Sequence, residues 1–288
     1  MSLWLRASKV IVMNGYVKYW DDIISRWADG DGVVPESEEC WFVSGSTLHR
    51  QLMPEPYWGN PDNCSAVLLN YNPGGPDGTP HPDDNCHINN VRNDDTMKMS
   101  GAMHGCYSRI ALEFPWLDKT DRGDFTSMPS HLPTKRWMCQ RNGWISRLAK
   151  SDKRPFFLDL CAWHSKNWRL GNYTTEIRAY IAEHILPMLH EAIAKSDLGI
   201  GLCVGKQLGD RVLPGLGFTD VTSQMGFDVK DSGKGWQPIP GVNRWYRIYR
   251  SDDGTYMVNT WLVGSNRQPG ARFGKKETEI INKIKSKE

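Results

Sequence analysis

The turn Asn72-Pro73-Gly74-Gly75 combines residue types that could do chemistry. The Asn72 side chain is a neutral amide, which can orient a water molecule without deprotonating it strongly. Gly74 and Gly75 let the backbone come close to a ligand, and their successive amides could hold an oxygen of that ligand. Turns of this composition are also often only structural, and the run lacks the Lys-Ser/Thr end of a phosphate-binding P-loop. The segment is therefore either a ligand-contacting turn or a purely structural turn that Asn72 caps.

Two later segments place polar side chains after apolar runs. One run ends in Trp163-His164-Ser165, with Trp168 close behind, and the other ends in Ser265-Asn266-Arg267, with Arg272 nearby. Polar side chains at strand ends favour a binding role. The alternatives are an aromatic lid over the core beside a structural histidine, and a solvated basic loop.

A group of nitrogen and sulfur donors offers a rival chemistry, because such side chains bind zinc. The group consists of His81, Cys86, His87, His104 and Cys106. Their spacing fits no common metal module, so we predict no metal and no cofactor.

Three apolar runs must position these residues. We predict that 65–71, 157–162 and 199–204 are neighbouring buried strands, because long crossovers separate them. The segment 174–196 has helical spacing, with a cap at Thr174 or Thr175 and a bend near Pro187. These elements predict a three-layer α/β/α fold around a central, mostly parallel, four-stranded sheet.

The ends of the chain carry further elements. Helical spacing over 15–28 predicts a helix within an N-terminal extension of about 50 residues, and a basic helix is expected over about 274–288. Two extended segments, 245–249 and 256–263, are joined by Asp252-Asp253-Gly254 and predict a hairpin. No linker divides the 288 residues, so we expect one domain.

Charge and cysteine usage exclude several classes of protein. The formal net charge of +2 excludes a polycation that binds nucleic acid indiscriminately. Seven cysteines without a Cys-x-x-Cys pair indicate reduced thiols and hence a cytoplasmic protein. No apolar stretch of about 20 residues occurs, so we expect no membrane association. We expect a monomer.

The first motif resembles that of the uracil-DNA glycosylase superfamily. The run Pro54-Glu55-Pro56-Tyr57-Trp58-Gly59-Asn60-Pro61, followed by the strand leading into Asn72-Pro73-Gly74, is closest to the mismatch-specific branch and to prokaryotic relatives of unassigned function. Segments 157–165 and 202–209 resemble the family's second and third strands. Where the family has a His-Pro-Ser or Asn-Pro-Ser motif, this chain has 264–270, which departs from the uracil pattern.

The resemblance implies roles for individual residues. Asn72 would position the attacking water, with His164 and Asp77, or Glu55, in support. The loops 72–79, 163–168 and 264–272 would converge on one pocket. The residues implied to contact the substrate are Tyr71, Pro73, Gly74, Gly75, Trp163, Ser165, Trp168, Ser265 and Asn266. The residues implied to contact the DNA backbone are Arg267 and Arg272.

The expected function is that of a monofunctional DNA glycosylase. Such an enzyme flips a damaged or modified base out of duplex or single-stranded DNA and hydrolyses its glycosidic bond, leaving an abasic site. A modified phage cytosine, removed in antiviral defence, is one candidate substrate. The alternatives are a module of the same fold that binds modified DNA or nucleotides without cleavage, and a zinc-dependent hydrolase.

Overall fold

A mixed β-sheet runs through the molecule. The computed structural model describes residues 15–26, 34–42, 48, 50, 54–71, 107–113, 145, 148–165, 173–227, 237–239, 244–262 and 275–287. Within these ranges the sheet has eight strands. In chain order they are β1 (Tyr57–Trp58), β2 (Val67–Asn70), β3 (Phe156–Asp159), β4 (Gly201–Val204), β5 (Thr219–Asp220), β6 (Gln237–Ile239), β7 (Arg244–Arg250) and β8 (Tyr256–Leu262).

The four central strands are parallel, in the order β3-β2-β4-β8. Strand β1 is antiparallel to β3, strand β7 is antiparallel to β8, and β5 and β6 both pair with β7. The three apolar runs are therefore neighbouring strands, as predicted, and every residue of β2, β3 and β4 is buried. The β7–β8 hairpin is also confirmed. The sheet extends beyond the four predicted strands because β1 lengthens it at one edge and β7, with the short strands β5 and β6, lengthens it at the other.

The order of the central strands locates a crevice. Strand β2 has β3 on one side and β4 on the other, so the connections from β2 to β3 and from β4 to β8 run in opposite directions across the sheet. In open α/β sheets, ligands bind outside the carboxyl ends of the strands at such a reversal. The site is therefore expected where β2 and β4 end.

Helix α3 (175–195) was predicted accurately. Its cap is Thr174, whose hydroxyl accepts a hydrogen bond from the amide of Ile177 at 3.2 Å. A bend was predicted near Pro187, and the structure has a π-helical turn over Ile181–Ile185, just ahead of this residue. Because Pro187 has no amide hydrogen to donate to the preceding turn, the wider π turn accommodates it.

The described ranges contain further helices. They are helix α1 (15–26), a 3-10 helix (Glu36–Trp41), helix α2 (Tyr107–Glu113), helix α4 (206–215) and helix α5 (Lys275–Lys285). Helix α5 buries Ile280, Ile281 and Ile284, and the ammonium of Lys283 lies 4.5 Å from the centre of the Phe227 ring. No helix in the described ranges is long and apolar enough to span a membrane.

Gly59 follows β1 and lies against Pro155, the residue before β3, so substituting it tests the packing at this point. Its φ is +98°, and an added Cβ would lie 2.4 Å from the Pro155 carbonyl oxygen. We expect Gly59→Ala to lower the free energy of unfolding by about 3 kcal/mol, combining backbone strain with overpacking. Gly217 is the matched control, because its φ is +84° but nothing lies within 4 Å of its Cβ position. Gly217→Ala should cost only about 1 kcal/mol. If urea denaturation shows the same loss of unfolding free energy for Gly59→Ala and Gly217→Ala, the predicted clash is contradicted.

Candidate functional site

A row of polar side chains lies at the carboxyl ends of the parallel strands. Asn70 ends β2 and Asp159 ends β3, and the two are register partners. Partners in a parallel ladder project from the same face of the sheet. The same row passes through Val204 of β4, which is apolar, to its register partner Thr260 in β8. Asp159 is 1% exposed, Asn70 5% and Thr260 0%, so the row is buried.

Two atoms in this row have no hydrogen-bond partner among the described residues. They are the amide nitrogen of Asn70 and the hydroxyl of Thr260, so Asn70 does not donate to its neighbour Asp159. Buried polar groups in folded proteins are nearly always paired, and an unpaired one costs about 1–3 kcal/mol. Each of these atoms therefore marks a place where a water molecule, a ligand or a further part of the chain is expected to pair with it.

A buried carboxylate and imidazole lie next to this row. Glu55 Oε1 is 3.5 Å from Nε2 of His164, and both side chains are fully buried. Trp58 Nε1 donates to Glu55 Oε2 at 2.8 Å, which fixes the carboxylate. The Asp159 amide donates to the carbonyl of Pro56, the residue after Glu55. The Glu55–His164 pair thus adjoins Asp159 and can orient an imidazole for proton transfer.

Tyr71 fills the space between the ends of β2 and β4. An added Cβ at Gly205, whose φ is +130°, would lie 2.8 Å from the Tyr71 ring. Burial raises the pKa of the Tyr71 phenol, while the backbone amides of Gln207 and Leu208 at the start of α4 act to lower it. Tyr71, which immediately precedes Asn72, therefore lies at the reversal in strand order.

Trp163 and Ser165 are buried as well. The Trp163 indole is fully buried, donates from Nε1 to Glu38 Oε2 at 3.2 Å, and packs edge-on against Phe42. In this conformation the indole serves packing, and stacking on a base stays a prediction. Ser165 is 2% exposed. The structure thus brings His164 and Tyr71 to the same edge of the sheet as Asp159.

The remaining predicted site residues lie outside the described ranges. They are Asn72, Pro73, Gly74, Gly75, Asp77, Trp168, Ser265, Asn266, Arg267 and Arg272. The convergence of the three loops therefore stays a prediction. The proposed zinc donors lie outside as well, and no group of three or more potential metal ligands occurs among the described residues.

Three residues of the polar row were missed from the sequence. Asn70, Asp159 and Thr260 fell inside the predicted strands 65–71, 157–162 and 256–263. Strands β2 and β3 in fact end at Asn70 and Asp159. For Asn70 and Asp159 the available signal was the one polar residue that follows an apolar triplet, whereas Thr260 follows Asn259 and has no such signal.

Comparison with known proteins gives no further assignment. No protein-family model, curated protein or solved structure matches this chain.

Proposed function

We propose that the protein is a DNA glycosylase that flips out a modified base and releases it by hydrolysis, leaving an abasic site. The observation that carries the proposal is the buried Asp159–Asn70 pair at the carboxyl edge of the sheet. Asn70 lies two residues ahead of the Asn72-Pro73-Gly74-Gly75 segment in the sequence. We also propose that the helices and the sheet form three α/β/α layers, and that the protein is a cytoplasmic monomer without a cofactor.

The strand order supports this assignment of the site. Asn72 follows Tyr71 in sequence, and Tyr71 lies between the ends of β2 and β4. Glycosidic cleavage passes through an oxocarbenium-like sugar, so it needs a water held near the anomeric carbon and stabilisation of the departing base. In the proposal Asn72 positions the water. His164, oriented by Glu55, acts near the departing base.

The polar row also favours one class of base. A carboxylate such as Asp159 only accepts hydrogen bonds, whereas the Asn70 amide nitrogen only donates them. Together they match a base edge with an exocyclic amino group beside a ring acceptor, as in cytosine. Uracil presents a carbonyl and an N–H at the corresponding atoms and matches less well. A modified cytosine is therefore the substrate we propose.

Binding to the DNA backbone must come from a local surface, because the formal net charge is only +2. We assign this role to Arg267 and Arg272.

The proposal is tested by incubating the protein with oligonucleotides that carry uracil, mismatches or modified cytosines. Abasic sites are then detected by strand cleavage in alkali. We expect cleavage at a modified cytosine in single- or double-stranded DNA. Tight binding without cleavage would instead support the module that binds modified DNA, and neither binding nor cleavage would contradict both functions.

A further inference from the structure

Glu38 is a buried carboxylate far from the sheet edge in sequence. It lies in the 3-10 helix Glu36–Trp41 and is 0% exposed. No Lys, Arg or His nitrogen of the described residues lies within ion-pair distance of it. Burying a carboxylate without a cation is costly unless hydrogen bonds compensate.

Three donors from three different segments compensate Glu38. The Tyr19 hydroxyl of α1 donates to Oε1 at 2.8 Å, and the Tyr180 hydroxyl of α3 donates to the same oxygen. The Trp163 indole, in the segment after β3, donates to Oε2 at 3.2 Å. One side chain thus ties the N-terminal helices to α3 and to the segment that carries His164.

Glu38 gives the Trp163 indole N–H an acceptor. An indole N–H can only donate, so a buried indole points toward an acceptor. Phe42 packs against the same indole with ring centres 5.2 Å apart. His164 is the next residue along the chain, and its imidazole lies against Glu55. Because Trp163 and His164 share one peptide unit, a repacking of the indole that moves this unit would also move His164.

We infer that Glu38 is a positioning residue for the candidate site, because it holds the Trp163 indole and thereby keeps His164 against Glu55. The N-terminal helices are then part of the site's support. The inference goes beyond the proposed function and rests on it only for the activity measurement.

The chain offers a matched pair of variants at this position. Burial raises the pKa of the Glu38 carboxyl, and the hydrogen bonds from Tyr180, Tyr19 and Trp163 oppose that shift. In Glu38→Gln, the amide oxygen can accept from Trp163 while the amide nitrogen donates to both tyrosine hydroxyls, which can turn to accept. Glu38→Leu offers no acceptor. Glutamine should therefore preserve the orientation of Trp163, and leucine should lose it.

The experiment measures two quantities in the full-length protein. The first is the imidazole nitrogen resonances of His164 in NMR spectra, assigned by comparison with His164→Asn. The second is kcat and KM for base release. We expect Glu38→Leu to shift the His164 resonances and lower kcat about tenfold with little change in KM, whereas Glu38→Gln resembles the wild type.

Trp163→Phe completes the test, because it keeps an aromatic ring but removes the donor. It should shift the His164 resonances on its own, and Glu38→Leu should add nothing in that background. If the His164 resonances do not change in Glu38→Leu, the inference is overturned. If Glu38→Leu does not fold, unchanged His164 resonances in Trp163→Phe overturn it instead. If the shifts of the His164 resonances caused by Trp163→Phe and Glu38→Leu add in the double variant, Glu38 does not act on His164 through Trp163. If the wild type releases no base, the proposed function fails, and the resonances alone decide this inference.

Discussion

Replacing Asn72 with alanine should lower the rate of base release by on the order of 10²-fold or more, while DNA affinity stays nearly constant. The transition state gains from a water held in line with the departing base, whereas ground-state affinity comes mainly from phosphate contacts. Single-turnover rates at saturating protein measure the first quantity, and fluorescence anisotropy with labelled DNA measures the second.

Arginine variants provide the opposite pattern as a control. Changing Arg267 and Arg272 to alanine should weaken binding and flatten its salt dependence, while single-turnover chemistry at saturation is preserved. If Asn72→Ala retains near wild-type excision on a verified substrate, the turn is only architectural. The catalytic group would then be Asp77, Glu55 or His164.

Asp159→Asn should change which base the protein prefers. Asparagine supplies a donor as well as an acceptor, so it removes the selection for an amino group. We expect the ratio of kcat/KM for modified cytosine over uracil to fall by on the order of 10²-fold, the upper range for one well-placed pair of hydrogen bonds. Competition between two labelled oligonucleotides measures this ratio directly.

Asp253→Asn makes the same chemical change at the other end of the sheet. Asp253 lies in the turn between β7 and β8 and binds His190 Nδ1 at 2.6 Å. Burial acts to raise the pKa of the Asp253 carboxyl, but hydrogen bonds from Ser251 and Thr255 and the interaction with His190 hold this pKa well below its ordinary value. The stability that Asp253 contributes is therefore fully present at pH values above its ordinary, unfolded-state pKa. This stability is lost as the pH falls through the lowered pKa of the folded protein. This variant should leave the base preference unchanged, and an equal change in both variants would contradict a reading role for Asp159.

Much of the fold followed from local patterns in the sequence. Continuous apolar runs predicted β2, β3 and β4, and Asp252-Asp253-Gly254 predicted the hairpin. Thr174 predicted the cap of α3. Strands β5 and β6 have two and three residues, too few to show an alternating pattern.

The ends of the strands were harder to predict, because an apolar run indicates that residues are buried and does not indicate that they pair with a neighbouring strand. Leu160, Cys161 and Ala162 are as buried as β3 itself, yet the strand ends at Asp159. The amides of Leu160 and Cys161 still donate to Asn70 and Tyr71 carbonyls beyond the ladder. The predicted site loop therefore began at 163, and Asp159 was assigned to the strand interior.

The contacts of Glu38 show why part of the site's surroundings could not be predicted. Trp163 and Tyr180 lie 125 and 142 residues from Glu38 in sequence. Helical and strand periodicities describe only neighbouring residues, so a carboxylate shared by three segments leaves no pattern in any one of them. Such a contact follows only from the folded arrangement.

The most direct test of the account is base release in water enriched in oxygen-18. The protein is incubated with an oligonucleotide containing modified cytosine, and the products are analysed by mass spectrometry. Hydrolysis at the glycosidic carbon predicts a free base without the label and an abasic sugar that carries one labelled oxygen, scored after reduction to prevent exchange. In Asn72→Ala both products should nearly disappear. Bound DNA that keeps all of its bases, with neither product formed, would contradict the account.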